Sequence, residues 1–107
     1  TLNEIIKASK SHPMAYAKMK KDYTELVMIQ AQKLPKVKKA DFEFVWYCKN
    51  KRKDKDNIMV GQKFIFDGLI KAGVLENDGW NEVGDISHFF QTDKNNPRVE
   101  VKLKEVI

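Results

Sequence analysis

The stretch Phe42-Glu43-Phe44-Val45-Trp46-Tyr47-Cys48 runs into Lys49-Asn50-Lys51-Arg52-Lys53-Asp54-Lys55-Asp56-Asn57 and then into an apolar-periodic segment that closes at Ala72-Gly73. Phe42, Phe44, Trp46 and Cys48 alternate with Glu43, Val45 and Tyr47, which predicts a strand with one strongly apolar face, because successive strand side chains point to opposite sides. The following segment holds five basic and two acidic residues and no apolar one, so it must lie at the surface. Asp56 or Asn57 then suits the N-cap of a helix running to Ala72, with Ile58, Ile65, Leu69 and Ala72 inward and Gly73 as its stop. Gly61 inside that helix costs about 1 kcal/mol relative to alanine, so the first turn is expected to be irregular.

Outward from this unit, residues 14–33 place Tyr16, Met19, Tyr23, Leu26 and Ile29 at three- and four-residue intervals, the spacing of an amphipathic helix. Pro35 and the lysines after it end that helix. Leu2, Ile5 and Ile6 predict one or two helical turns before Ser11, His12 and Pro13 interrupt them. On the other side, residues 82–91 read as extended and 92–97 as a hairpin connection. Val99, Val101 and Leu103 then alternate with Arg98, Glu100, Lys102 and Lys104 in a last strand. The fold class expected is α+β, a small mixed β-sheet with two main helices packed on one face, as one domain over residues 1–107.

Composition narrows the partners. With 42% hydrophobic and 33% charged residues the chain has the profile of a folded protein rather than a disordered one. No run of apolar residues is long enough for a membrane span, and no signal core is visible, so no membrane partner is expected and the cytoplasm is the expected compartment. The one cysteine, Cys48, excludes an internal disulfide, and no Cys/His group has zinc spacing. A net charge of +5 favours polyanionic partners only weakly. Its concentration beside the acids is more informative.

Asp54 and Asp56 stand where a strand exits and a helix begins, and Asp78 follows that helix. Carboxylates are hard oxygen ligands suited to Mg²⁺ or Mn²⁺, and a bound cation relieves the repulsion of crowded acids while activating water against a phosphodiester. Spacing alone favours a plainer reading, a solvated loop with exposed ion pairs. An EF-hand is excluded, since Ile58, Met59 and Ile65 stand where its loop needs a ligand, a glycine and a bidentate glutamate.

The run Arg52-Lys53-Asp54-Lys55-Asp56-Asn57, followed by Gln62-Lys63-Phe64-Ile65-Phe66-Asp67-Gly68-Leu69-Ile70-Lys71-Ala72-Gly73-Val74 and Asn77-Asp78, resembles the core motif of RusA-type Holliday junction resolvases. The likeness is close from Phe42 to Asp78 and looser in the flanks. It implies a metal-dependent crossover junction endodeoxyribonuclease acting as a homodimer on four-way DNA junctions, and phage origin is common in such families. It maps Asp54, Asp56 and Asp78 onto metal ligands for Mg²⁺, with Mn²⁺ as a substitute, and Lys63 onto a helical lysine that contacts phosphate or offsets developing charge.

Three departures from the family pattern stand out. The interval from Asp56 to Lys63 is longer, around Met59 to Gly61. Asn77 stands where relatives carry a second aspartate. The strand with which family members open, ahead of a loop like Thr1-Leu2-Asn3, is expected to be missing. An ordinary ion pair four residues apart accounts for Lys63 and Asp67 equally well.

Lys49, Lys51, Arg52, Lys53 and Lys55 are the candidate DNA-binding residues, since they would hold phosphates beside the acids. Lys18, Lys20 and Lys21 extend this surface or simply solvate a helix. Trp46, Tyr47 and Trp80 are candidate base-stacking rings, with core packing the better use for Trp46. Neither His12 nor His88 lies in a ligand pattern, and a half-buried role fits His88. The rival readings are a non-catalytic basic nucleic-acid-binding module, a branched-DNA nuclease of broader specificity, and a small assembly protein with an acidic partner.

Overall fold

The computed structural model describes residues 3–9 and 16–106, with side chains described from 20 to 106. Its centre is the strand read first. In β2 (Ala40–Cys48) the buried residues Ala40, Phe42, Phe44 and Trp46 alternate with half-buried Asp41, Glu43, Val45 and Tyr47. Around it stand β1 (Asn3–Ser9), α1 (Tyr16–Ala31), α2 (Lys55–Met59), α3 (Gly61–Lys71), β3 (Val83–Thr92) and β4 (Arg98–Glu105). The four strands form one mixed sheet in the order β1-β4-β2-β3, with β2 parallel to β3, antiparallel to β4, and β4 antiparallel to β1. The α+β class is as expected.

One core cluster joins Tyr23, Val27 and Ala31 of α1, the apolar face of β2, Phe64, Ile65, Phe66 and Leu69 of α3, and Val99, Val101 and Leu103 of β4. Its middle is aromatic. Phe44 stacks on Trp46 at 5.8 Å and on His88 at 4.9 Å, while Phe66 meets Phe42 edge-on at 4.9 Å. Such offset and edge-to-face rings add stability beyond their buried area.

Several local expectations are corrected. Ile5 and Ile6 lie in a strand rather than in helical turns, and Leu2 lies outside the described residues. That strand, β1, forms the edge beside β4, so the N-terminal edge strand expected to be missing has a counterpart at Asn3–Ser9. In α1 the inward stripe is Tyr23, Thr24, Val27 and Ala31, and Ile29 is 63% exposed. Apolar spacing alone allowed either stripe; the close crossing of α3 selects the one with small residues. A Cβ at Gly68 would lie 2.8 Å from Val27 Cβ and 2.9 Å from the Thr24 carbonyl oxygen, so the helices touch almost backbone to backbone.

The long second helix is in fact two, broken at Val60. Gly61 permits this, because a Cβ there would press on Trp46 Cη2 at 3.0 Å and Tyr23 Cε2 at 3.2 Å. The expected irregularity is therefore present, but the N-cap is Asp54 rather than Asp56 or Asn57, which lie inside α2, while Gly73 (φ 80°) follows the end of α3 as anticipated. Finally, residues 93–97 do not make a hairpin. β2 lies between β3 and β4, so the connection crosses the end of β2, where Asp93 N donates to the Cys48 carbonyl at 2.8 Å. Asp93 Oδ1 accepts from Asn95 N and Asn96 N, and its Oδ2 accepts from Arg98 at 2.9 Å.

Candidate functional site

The basic segment leaves the C-terminal end of β2 as an exposed loop, turned by Asn50 Oδ1 accepting from Arg52 N at 3.0 Å. Lys49, Lys51, Arg52, Lys53 and Lys55 are all exposed, and none forms a salt bridge among the described residues. Lys20 and Lys21 are also exposed, and the side chain of Lys18 lies outside the described residues.

Asp54 holds the N-cap position of α2 in extended conformation (φ −69°, ψ 151°), yet its side chain makes no capping hydrogen bond. The helix starts instead on its carbonyl, which accepts from Asn57 N and Ile58 N at 3.1 and 3.2 Å. The Asp54 carboxylate is thus left exposed. Asp56 Oδ1 accepts from Asn57 N at 3.0 Å, and an acid in a first turn also complements the helix dipole.

Asp78 lies seven residues beyond the end of α3, yet it returns to the start of that helix. Lys63 Nζ stands 3.1 Å from Asp78 Oδ2 and 3.2 Å from Asp67 Oδ1. The loop after α3 therefore folds back, as any meeting of Asp78 with the earlier acids requires. The hydrogen bond to Asp78, followed by that to Asp67, raises the Lys63 pKa above the ordinary lysine value, so the ammonium stays charged.

Three contacts stitch α2 and the first turn of α3 along the β3 flank. Lys55 Nζ sits 5.3 Å from the centroid of Phe90, Gln62 Oε1 lies 2.7 Å from His88 Nε2, and Lys63 reaches Asp78 just ahead of β3. Trp46 Nε1 donates to His88 Nδ1 at 2.9 Å, which leaves the proton of the neutral ring on Nε2, donated to Gln62. Burial lowers the His88 pKa and favours that neutral form. Lys55, between Asp54 and Asp56, thus contacts β3, and Lys63 links Asp78 to the first turn of α3.

Among the described residues, however, no group of three or more His, Cys, Asp or Glu side chains is placed to hold a metal ion. Asp78 is joined to Lys63, not to Asp54 and Asp56. The donor set fits a hard divalent cation chemically, with Asp54 uncommitted to its cap and Asp78 held by Lys63 through Oδ2 alone.

Sequence spacing pointed to Lys63 with Asp67, but the Trp46, His88 and Gln62 chain and the Lys63 link to Asp78 join residues far apart in sequence and leave no local signal. The same holds for Arg98, whose guanidinium lies 3.8 Å from the Tyr47 ring centroid. No helix among the described residues is long and apolar enough to cross a membrane. A family model for endodeoxyribonuclease RusA matches residues 3–104. No curated protein shows a significant match to the chain.

Proposed function

Since the chain belongs to the endodeoxyribonuclease RusA family and is thereby a nuclease acting on DNA, we propose that it resolves four-way junctions by Mg²⁺-dependent phosphodiester hydrolysis. The observation that supports this best is the return of Asp78 to Lys63 in the first turn of α3, the helix that follows directly on Asp54, Asp56 and α2. In this reading Asp54, Asp56 and Asp78 hold one Mg²⁺, with Mn²⁺ as an alternative. When bound, the ion neutralises the acids, polarises the phosphate and lowers the pKa of a water.

The chain's own residues do the rest. Lys63, paired with both Asp78 and Asp67, keeps its ammonium charged and would face the phosphate to offset developing charge. Lys49, Lys51, Arg52, Lys53 and Lys55 hold the flanking backbone by charge-assisted contacts. A four-way junction has two-fold symmetry and needs two opposed nicks, so a symmetric homodimer with two such sites matches it.

The test incubates a synthetic four-way junction with Mg²⁺ and either wild-type protein or Asp56→Asn. Nicking should fall roughly a hundredfold or more in the variant while junction binding persists, the scale expected when a transition-state electrostatic partner is lost. Equal cleavage by both proteins refutes the metal assignment. One observation favours a second reading, a non-catalytic DNA-binding module: the three acids are not gathered in the single chain. Junction binding by wild type without nicking in Mg²⁺ or Mn²⁺ would establish it. A panel of flaps and forks separates a resolvase from a broader branched-DNA nuclease.

A further inference from the structure

We propose that Trp80 is a base-stacking residue that engages bases left open at the branch point of a DNA junction, an inference that rests on the junction-nuclease reading. Of the three rings singled out from the sequence as stacking candidates, two are committed elsewhere, and Trp80 is more exposed than Phe89, which is 51% exposed. Trp46 is 3% exposed and bonded to His88, and Tyr47 is covered by the Arg98 guanidinium. Trp80 is 94% exposed, and among the described residues it has no ring contact or hydrogen bond.

An indole is among the largest apolar surfaces a side chain offers, and a nearly bare one departs from the usual packing of such rings. The backbone that carries it is braced. Gly79 N donates to Glu82 Oε1 at 3.2 Å, and Glu82 N and Val83 N donate to the Gly79 carbonyl at 3.2 and 2.9 Å, closing the turn that carries Trp80. The ring therefore projects from a braced turn two residues beyond Asp78, whose carboxylate is paired with Lys63.

That placement sets an exposed aromatic residue two positions along the chain from Asp78, the carboxylate proposed to serve the reaction. In continuous duplex the bases cover one another and offer no free face. At a branch point the terminal faces are open, and an aromatic side chain stacks on any of the four bases, since each has a π-face. Trp80 would thus select DNA by shape rather than by sequence. A subunit contact is the competing use of the same ring.

The experiment measures binding of a labelled synthetic four-way junction and of a linear duplex of matching sequence in EDTA, for wild type, Trp80→Ala and Trp80→Phe. Loss of one stacked ring should weaken junction binding by Trp80→Ala about tenfold, leave duplex binding nearly unchanged, and be largely rescued in Trp80→Phe. Wild-type tryptophan emission should be quenched by the junction, and the quench should be absent in Trp80→Phe, where only Trp46 remains. Equal losses on junction and duplex, no loss on either, or a changed sedimentation state of Trp80→Ala would overturn the proposal. Wild type that binds junctions as well as Trp80→Ala does sinks this inference alone, whereas wild type that binds no junction sinks the functional reading beneath it.

Discussion

His88 links the core to the candidate site. Its ring stacks on Phe44, accepts from Trp46 and donates to Gln62, one residue before Lys63. Protonation would put a second N–H against the Trp46 donor and remove that hydrogen bond. Burial lowers the His88 pKa below the ordinary histidine value of 6.5, so just below that value the unfolded chain binds more protons than the folded one. The stability that the neutral ring contributes is therefore complete above about pH 6.5 and is lost as pH falls from there toward the folded value. Thermal denaturation across that window should show a falling melting temperature that flattens in His88→Gln; an unchanged slope in the variant would assign the titration to another group. The residue scale is also where the site was least legible beforehand. The acids, Lys63 and its partner Asp67 were visible through motif and spacing, but the Lys63 bond to Asp78 and the His88 chain depend on the fold-back of a loop and on strand pairing, which no local pattern encodes.

At the scale of elements, the crossing of α1 and α3 sets how the helices cover the sheet. Gly68 lies at that crossing, and a methyl group there would meet the Val27 side chain and the fixed Thr24 carbonyl, not a flexible chain end. Overpacking of this kind typically costs about 1–3 kcal/mol, against which alanine's better helix propensity returns about 1 kcal/mol. Gly68→Ala should therefore lower the melting temperature by several degrees, roughly 4–8 °C per kcal/mol in a domain of this size, and a variant as stable as wild type would show that the helices can move apart freely. The same contact explains part of what the sequence concealed. Alternation identified β2 and β4, and glycine identified the end of α3, because those signals are local. The inward stripe of α1 was decided by its neighbour, and the pairing of β3 beside β2 rather than β4 was decided by the crossover through α2 and α3. Neither decision is written in the segment concerned.

For the whole molecule, the +5 net charge matters less than its pairing. Lys36, Lys63, Arg98 and Lys102 each face a carboxylate at 2.7–3.9 Å, so their fields are partly cancelled at short range. In the loop after β2, Lys49, Lys51, Arg52 and Lys53 are exposed and unbridged among the described residues, as are lysines elsewhere on the surface, but this loop leads directly into Asp54 and Asp56. Four basic residues are therefore gathered at one end of β2, where a phosphate backbone held by them would lie close in sequence to the candidate acids. A cation that neutralises a phosphate releases counterions, and each such contact adds close to one unit to the slope of log affinity against log salt. Replacing Lys51 and Lys53 together by glutamine should reduce the slope for junction binding by about two and weaken binding at low salt, with little dependence on DNA sequence. Replacing Lys36 and Lys102, each already facing a carboxylate, should leave the slope nearly unchanged. If both pairs of substitutions flattened the slope equally, DNA would be reading the total charge of the molecule, and the loop would have no special place in holding the strand.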